Sequence, residues 1–355
     1  MQRQNGTESK KVRSKLAWNI LFIVLAVATV WGISSQIKDF SFSEFVDYLK
    51  EANKGYIALA ICHMLLYVLA EGLALCVICR GLGNCTKFRN GFCYSAADIY
   101  FSAITPSATG GQPACAYLMV KDGISPMVTT VALVANLVMY TFSIIAIGII
   151  TFVVRPGLFL HFDTPSQILI AVGCVMQLGL GAFLLLVLRH ARMVHSICRS
   201  VLHFLAKLHL LRNEERKQEK LARHMEEYRK CSDALVGRGR MLVGVFLCNF
   251  LQRALQITVT VYAYLAVGGE WGNAIDIWAT QSFTVLGSNC MPIPGAMGVS
   301  DFILMDGLRS FMSTVQSAQL DLLSRSLSFY SCIIVCGITV LIKYICQRSR
   351  EDLPK

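Results

Sequence analysis

The sequence predicts an all-α polytopic membrane protein, arranged as an inverted-topology repeat of spans with two re-entrant broken helices. Three observations support this class. Of the 355 residues, 55% are hydrophobic and only 15% are charged. The apolar residues fall in long blocks that are separated by short polar joints, as in integral membrane proteins. Two further apolar regions are interrupted by clusters of Pro and Gly.

Six apolar blocks are long enough to cross a bilayer, which takes about 20 residues. They are Leu16–Ile33, Gly55–Cys79, Ile124–Ile150, Pro165–Leu188, Met241–Val267 and Leu322–Cys346. The first block follows a basic amino end and is too long for an ordinary signal peptide, so we expect an uncleaved span.

The interrupted regions are Gly91–Val120, which contains TPSATGGQP, and Ala274–Leu308, which contains MPIPGAMG. A helix break leaves backbone N–H and C=O groups free, and membrane depth tolerates them only where protein or a wet cavity surrounds them. We therefore interpret both regions as re-entrant segments that face a cavity. The alternative is that Pro and Gly merely kink ordinary spans, since both residues are frequent in membrane helices.

Basic residues predict the orientation of the spans. The formal net charge is +11, and Lys and Arg in short joints mark the cytoplasmic side. The amino end, the joint 80–89, residues 189–240 and the carboxyl end are basic, so both termini are expected in the cytoplasm. The assignment works only if the first broken region enters from the cytoplasm and the second from outside.

This topology predicts a single membrane domain over residues 1–355, with a first half at about 16–150 and an oppositely oriented second half at about 165–346. Transporters often use such repeats, and their sites lie where discontinuous helices meet. Residues 189–240 are expected to form a cytoplasmic basic helical loop that lies on anionic lipid headgroups. No nucleic acid partner is expected, and a homo-oligomer is possible.

Ionisable residues inside spans cost about 2.5 to 3.5 kcal/mol each, so they are functional candidates. Glu71 and Arg253 lie in equivalent spans of the two halves, and Asn249 shares a helical face with Arg253. Opposite charges are therefore expected near the pseudo-symmetric centre. They form either a structural ion pair or a substrate site.

Further polar residues flank the two breaks. Asp98 and Thr105 lie on one helical stripe that ends at the first break, and Asp301 follows the second. Half-helices that begin after each break offer a partial positive charge to a phosphate or carboxylate. Arg325 opens the last span, either as a substrate-binding residue or as an interfacial anchor.

Enzyme signatures are missing from the sequence. It has no Walker A loop, no HExxH, no GxSxG and no Gly-rich dinucleotide turn. We therefore expect no cofactor and no metal site, and any transport is expected to run downhill or to be coupled to an ion gradient.

The segment TPSATGGQPACAYLMVKDGIS resembles the first signature of the lysylphosphatidylglycerol synthase transmembrane region, a flippase-like domain family, and MPIPGAMGVSDFILMDGL resembles the second. The resemblance covers roughly residues 16–346. It implies substrate-binding roles for the motif residues of both breaks: Pro106, Gly110, Gly111, Pro292, Pro294, Gly295, Gly298 and Asp301.

In the multiple peptide resistance factor, such a domain is fused to a synthase that transfers lysine to phosphatidylglycerol, and the membrane part moves the product between leaflets. The present chain ends nine residues after Cys346, so we expect no synthase domain. The resemblance implies a translocase for an aminoacylated phospholipid such as lysyl-phosphatidylglycerol, in a bacterial cell membrane, and a link to antibiotic resistance. The alternatives are polyprenyl-linked glycolipid transport, a phosphatidylglycerol lysyltransferase-type enzyme and a small-solute transporter.

Overall fold

The computed structural model describes residues 50–105, 109–190, 196, 200, 226–235, 237–291 and 298–351. The chain divides into two compact units, Met1–Ala52 and Asn53–Lys355. Residues 50–52 are the described part of the first unit, and everything below concerns the second. The predicted span Leu16–Ile33 and most of the loop 189–240 lie outside the described residues.

The described part of the second unit is helical and contains no strand. Its long elements are α1 (Lys54–Gly81), α2 (Phe88–Ile104), α3 (Gly111–Lys121), α4 (Pro126–Val154), α5 (Thr164–Arg189), α6 (Gly239–Ala266), α7 (Ala274–Ser288), α8 (Val299–Leu308), α9 (Thr314–Arg325) and α10 (Ser331–Glu351). A 3₁₀ helix (Pro156–His161) joins α4 to α5, and a π-helical turn (Ser326–Tyr330) joins α9 to α10. Residues 226–235 are also helical.

Among the described residues, five helical segments are long and apolar enough to cross a membrane: α1, α4, α5, α6 and the continuous run Thr314–Gln347. They confirm the all-α polytopic class and five of the six predicted spans. The last span begins earlier than predicted because Ser313 caps it. The Ser313 hydroxyl accepts from the Gln316 amide, and the Gln316 side chain accepts from the Ser313 amide, so the helix starts among polar residues.

The first broken region folds into a helical hairpin, hairpin 1, made of α2 and α3. Near its tip, Gln112 Nε2 donates to Asp98 Oδ2 at 2.7 Å. At its base, Tyr94 Oη donates to Asp122 Oδ2 at 2.8 Å. The two helices are therefore antiparallel, and the segment leaves at the same end of the bundle at which it enters.

The second broken region forms hairpin 2 from α7 and α8. Gly287 lies against Ile303, and Gly307 lies against Thr280, so these helices are also antiparallel. The hairpin packs on α4, α5 and the 3₁₀ helix through a buried apolar cluster. Its members are Ile144, Leu158, Phe162, Ile170, Ala279, Phe283, Leu286 and Ile303.

The two hairpins enter the bundle from opposite ends. Helix α4 starts just after the base of hairpin 1, and Arg155 at its far end pairs with Asp276 at the base of hairpin 2. Its 29 residues span about 43 Å at 1.5 Å per residue. The breaks therefore face each other inside the bundle. The inverted relation of the complete halves remains a prediction.

Helices α1 and α6 are antiparallel along their whole length. The Asn53 amide donates to the Ala266 carbonyl at 2.7 Å at one end, and Gly81 contacts Met241 at the other. This long contact places the middle of α1, with Glu71, beside the middle of α6, with Arg253. The outward faces of the spans carry exposed apolar side chains such as Val153 and Val175, as expected for lipid contact.

Candidate functional site

A cavity of about 600 Å³ lies between the tips of the two hairpins. The tip of hairpin 1 contributes Ser102 and Gln112, and the tip of hairpin 2 contributes Ser288 and Asn289. Helices α1, α4, α5, α6, α9 and α10 and the π turn complete the wall. The volume lies within the range of small-molecule sites.

The cavity wall carries charged and polar side chains among apolar ones, whereas the outward faces of the bundle are apolar. Its charged side chains, among the described residues, are Glu71, Asp98, Arg253, Asp321 and Arg325. Side-chain amides and hydroxyls fill much of the remaining wall. Carboxylates and guanidinium groups at membrane depth are costly, and they occur where they face a bundle interior or a wet cavity.

Glu71 is 6% exposed and projects from α1 into the cavity wall. Its Oε2 accepts hydrogen bonds from Ser95 Oγ and from Gln252 Nε2, each at 3.0 Å. Glu71 thereby connects α1 to α2 and to α6. The carboxyl group of Asp98 lines the same cavity.

Two glycines allow this close approach of α1 and α2. A Cβ on Gly72 would lie 2.9 Å from the carbonyl oxygen of Gly91, which is shorter than real Cβ contacts. The backbones therefore touch directly beside Glu71. Because no side chain separates the helices, the short Ser95 side chain reaches the Glu71 carboxylate.

Asp98 lies at the junction of the two helices of hairpin 1. Its Oδ2 accepts from Gln112 Nε2, and its Oδ1 accepts from Ser102 Oγ at 3.3 Å. A Cβ on Gly111 would overlap both Ser102 Oγ and Asp98 Oδ1. Only glycine at this first residue of α3 lets the helix start against the Asp98 carboxyl group.

Thr105 and Gly110 close the tip of hairpin 1. Thr105 Oγ1 donates to the Phe101 carbonyl at 2.6 Å and accepts from the Gly110 amide at 2.9 Å. A Cβ on Gly110 would lie 2.6 Å from Thr105 Cγ2. These contacts assign a structural role to the family motif at the tip.

Arg253 is 6% exposed and also faces the cavity. Its guanidinium carbon lies 4.7 Å from the centroid of the Tyr140 ring, and Nη1 donates to Gln256 Oε1 at 2.5 Å. Its buried Nε has no hydrogen-bond partner among the described residues. A cation–π contact holds the group without neutralising it, so its charge stays available to an anion.

Glu71 and Arg253 do not form the direct ion pair that was one of the two interpretations. The side chain that bonds Glu71 from α6 is Gln252, the neighbour of Arg253. Within the described ranges, no salt bridge within 4.0 Å includes either residue. Their charges face one cavity separately.

The second half places its charges differently. Arg325 is paired with Asp301 and, with Nε 3.7 Å from Oδ1, with Asp321. Asp301 Oδ2 also accepts from the Gly298 amide at 2.8 Å, and Gly298 has a φ of +83°. Arg325 thus lies in the cavity wall in an ion-pair cluster and is not a free interfacial anchor.

Asn249 does not line the cavity. It is fully buried, and its Nδ2 donates to Asn136 Oδ1 and to the Val245 carbonyl, each at 3.0 Å. Its role is to bind α6 to α4, and Asn136 is the member of this pair that reaches the cavity wall. Four motif residues lie outside the described residues: Pro106, Pro292, Pro294 and Gly295.

The predicted site residues did not include Gln112, Tyr140, Gln252 or Asp321, which also line the cavity. Asp321 carries a signal, because it precedes Arg325 by four residues and such pairs meet on one helical face. It fell outside the span that was predicted to start at Leu322. The amides and the tyrosine carry no comparable signal, since only the packing of four helices brings them to Glu71 and Arg253.

The described ranges contain no group of three or more His, Cys, Asp or Glu side chains that could hold a metal ion.

The family model of the lysylphosphatidylglycerol synthase TM region matches residues 17–336. No curated protein and no solved structure matches the chain. Because the family match covers most of the sequence, and because helical hairpins stand at the two motif regions, the chain belongs to the lysylphosphatidylglycerol synthase transmembrane family.

Proposed function

We propose that this protein is a membrane lipid translocase of the flippase type, which moves a lipid headgroup between leaflets through the central cavity. The observation that carries the proposal is the polar cavity itself. It lies between two hairpins that enter from opposite ends, and it contains charges of both signs. A headgroup needs such a polar path because the hydrocarbon region offers it no hydrogen bonds.

The charge pattern favours a headgroup that carries both a phosphate and an amine. Arg253 offers a guanidinium group, which binds phosphate through charge-assisted hydrogen bonds. Glu71 and Asp98 offer carboxyl groups to an ammonium group. An aminoacylated phospholipid such as lysyl-phosphatidylglycerol meets both requirements, whereas an anionic polyprenyl-linked glycolipid uses only the arginine.

An apolar groove of about 440 Å³ on α4 and α6 suits the acyl chains of the same lipid. These two helices also carry Tyr140 and Arg253, so a lipid can keep its tails in the groove while its headgroup reaches the cavity. The groove is lined by Met139, Phe142, Ile145, Ala146, Ile149, Leu242, Val243 and Phe246.

A proteoliposome assay tests the proposal. Lysyl-phosphatidylglycerol is incorporated in both leaflets, and an impermeant amine reagent is added outside. We expect the protein to speed labelling of the inner pool and Arg253→Gln to abolish this gain. Arg309→Gln is the matched control, because Arg309 forms its ion pairs with Asp163 and Asp306, away from the cavity, and it should keep the wild-type rate.

The same assay separates the alternatives. No acceleration by intact protein would remove lysyl-phosphatidylglycerol as a substrate for downhill movement, and polyprenyl-linked glycolipids would be tested next. Formation of new lysyl-phosphatidylglycerol from phosphatidylglycerol and added lysyl-tRNA, with no change in leaflet distribution, would instead support a lysyltransferase-type enzyme. Loss of folding in Arg253→Gln, seen as aggregation in detergent, would favour a structural role for that arginine.

A further inference from the structure

The carboxyl groups of Glu71 and Asp98 form a buried pair at the cavity wall, with exposures of 6% and 7%. Each accepts hydrogen bonds from uncharged donors: Ser95 and Gln252 on one side, Ser102 and Gln112 on the other. Ser95, which donates to Glu71, precedes Asp98 by three residues on α2, so both carboxyl groups lie beside the same face of that helix and the same cavity. Two buried carboxyl groups close to one another do not both ionise without a cation, so one of them holds a proton.

Two side chains beside this pair each keep one polar atom without a hydrogen-bond partner among the described residues. Gln252 is 2% exposed, and its Oε1 has no hydrogen-bond partner among the described residues, although its Nε2 donates to Glu71. Nε of Arg253 is also buried and has no hydrogen-bond partner among the described residues. Both side chains line the cavity. Buried polar atoms are normally paired, so a free acceptor and a free donor in one wall indicate a polar ligand.

Few charged groups surround the two carboxyl groups. The titratable groups that face the pair are Tyr67 on α1, Cys115 on α3, Arg253 on α6, and Cys332 and Cys336 on α10. Helix α4 lines the cavity with Asn136, Leu137, Tyr140 and Thr141, and α9 with Asp321, Ser324 and Arg325. Arg325 is already paired with Asp301 and Asp321, which leaves Arg253 as the balancing cation within the described residues.

We propose that Glu71 and Asp98 share one proton, and that a lipid headgroup with one net positive charge displaces this proton when it binds. The exchange rests on the proposed translocase function and names its coupling ion. In the empty cavity the singly protonated pair carries one negative charge and Arg253 one positive charge. When the headgroup enters, the O–H bond breaks, the proton leaves to water, and both carboxylates face the ammonium group.

This exchange keeps the charge of the buried site constant. The ligand adds one positive charge, and the departing proton removes one, so no uncompensated charge is held in a medium of low dielectric constant. Before the empty cavity can open again to the first side of the membrane, one carboxylate must take up a proton from the side on which the lipid was released. The device thereby moves protons and cationic lipid in opposite directions, and a proton gradient can drive the lipid without an ATP site.

Infrared difference spectroscopy on the purified full chain in liposomes tests the shared proton directly. At neutral pH without ligand, we expect a carbonyl-stretch band of a protonated carboxylic acid that Glu71→Gln removes. Lysyl-phosphatidylglycerol should abolish the band, with release of about one proton per lipid bound to a pH-indicator dye. Asp163→Asn is the matched control, because this carboxyl group is exposed, and it should leave the band unchanged.

The outcomes separate this proposal from the translocase itself. Lipid-dependent loss of the band, together with lipid movement that speeds up several-fold under an opposing pH gradient, supports exchange. Accelerated labelling of the lipid with no proton release would overturn exchange and leave the translocase standing. If neither labelling nor the band responds to the lipid, both proposals fail for this lipid. Asp98→Asn replaces Glu71→Gln if the latter does not fold. The measurement of proton release by the wild-type protein needs no variant.

Discussion

An acidic pair lies beside each hairpin near the cavity, and the two pairs differ in what balances their charge. Beside hairpin 1, Glu71 and Asp98 receive hydrogen bonds from serine and glutamine side chains. Beside hairpin 2, Asp301 and Asp321 are both paired with Arg325. The two carboxyl groups beside hairpin 2 therefore have an arginine in an ion pair with them. The two carboxyl groups beside hairpin 1 have no such arginine among the described residues.

This difference assigns different tasks to the two halves. Beside hairpin 2, the two carboxyl groups share one arginine, and this ion-pair cluster joins α8 to α9. A pair that is satisfied only by neutral donors still attracts a cation, whether a proton or an ammonium group. We therefore infer that hairpin 1 carries the exchangeable site and that hairpin 2 carries a structural counterpart.

The largest expected effect comes from breaking the ion-pair cluster. Arg325→Leu leaves Asp301 and Asp321 partly buried without their cation, and removal of one partner of a buried pair costs about 3–5 kcal/mol. We expect a lower free energy of unfolding in mild detergent and a smaller monodisperse fraction on size exclusion.

Arg253→Leu is the matched control for that experiment, because the described residues give Arg253 a cation–π contact and no salt bridge. Its loss should cost about 0.5–2 kcal/mol. Equal destabilisation by the two substitutions would contradict the distinction between a structural arginine and an arginine that is available to a ligand.

A smaller effect is expected from the glycines at the hairpin tips. In Gly111→Ala the new methyl group meets the backbone oxygen of Asp98 as well as its carboxylate, and the backbone cannot move aside. In Gly287→Ala the nearest atom is Ile303 Cδ1, at 2.7 Å, which can rotate away. Overpacking of this kind costs about 1–3 kcal/mol, and we expect Gly111→Ala to lie at the upper end.

Gly244→Ala on α6 is the control for both tip variants, because a Cβ there meets nothing within 4 Å. Thermal unfolding in detergent should show Gly111→Ala below Gly287→Ala, and Gly244→Ala at or above the wild type. The reverse order of the two tip variants would show that the tip of hairpin 1 is looser than its contacts indicate.

These glycines also show how far the sequence reaches. The apolar blocks and the Pro and Gly clusters predicted the five described spans and both helix breaks, because each is a local pattern in one segment. The role of Gly111 depends on Asp98, thirteen residues earlier, and is visible only when α3 lies beside α2. The motif could be recognised from the sequence, but its contact could not.

The cavity was predicted in part for the same reason. Glu71, Asp98 and Arg253 stand out because a charge inside an apolar run has no local explanation. Gln252, which connects Glu71 to α6, does not stand out, since an amide beside an arginine is unremarkable in the sequence. We expected Glu71 and Arg253 to face each other, and α1 and α6 do lie side by side. The register of α6, however, brings Gln252 to the Glu71 carboxylate in place of Arg253.

The smallest expected effect concerns the bases of the two hairpins. At the base of hairpin 1, Lys343 Nζ lies 2.8 Å from Asp122 Oδ2, and both side chains are 14% exposed. At the base of hairpin 2, Arg309 Nη1 lies 3.1 Å from Asp163 Oδ2, with exposures of 52% and 63%. Solvent screens the second pair, so its coupling should lie at about 0–1 kcal/mol.

Double-mutant cycles compare the two bases, with Lys343→Met and Asp122→Asn in one cycle and Arg309→Met and Asp163→Asn in the other. We expect a coupling energy of about 1–2 kcal/mol at the base of hairpin 1, because charge-assisted hydrogen bonds strengthen as water is excluded. We also expect raised salt to weaken the coupling at hairpin 2 more than at hairpin 1, since exposed pairs are screened more strongly. Equal couplings with equal salt dependence would mean that water reaches both bases alike, and hairpin 1 would then be no more firmly anchored than hairpin 2.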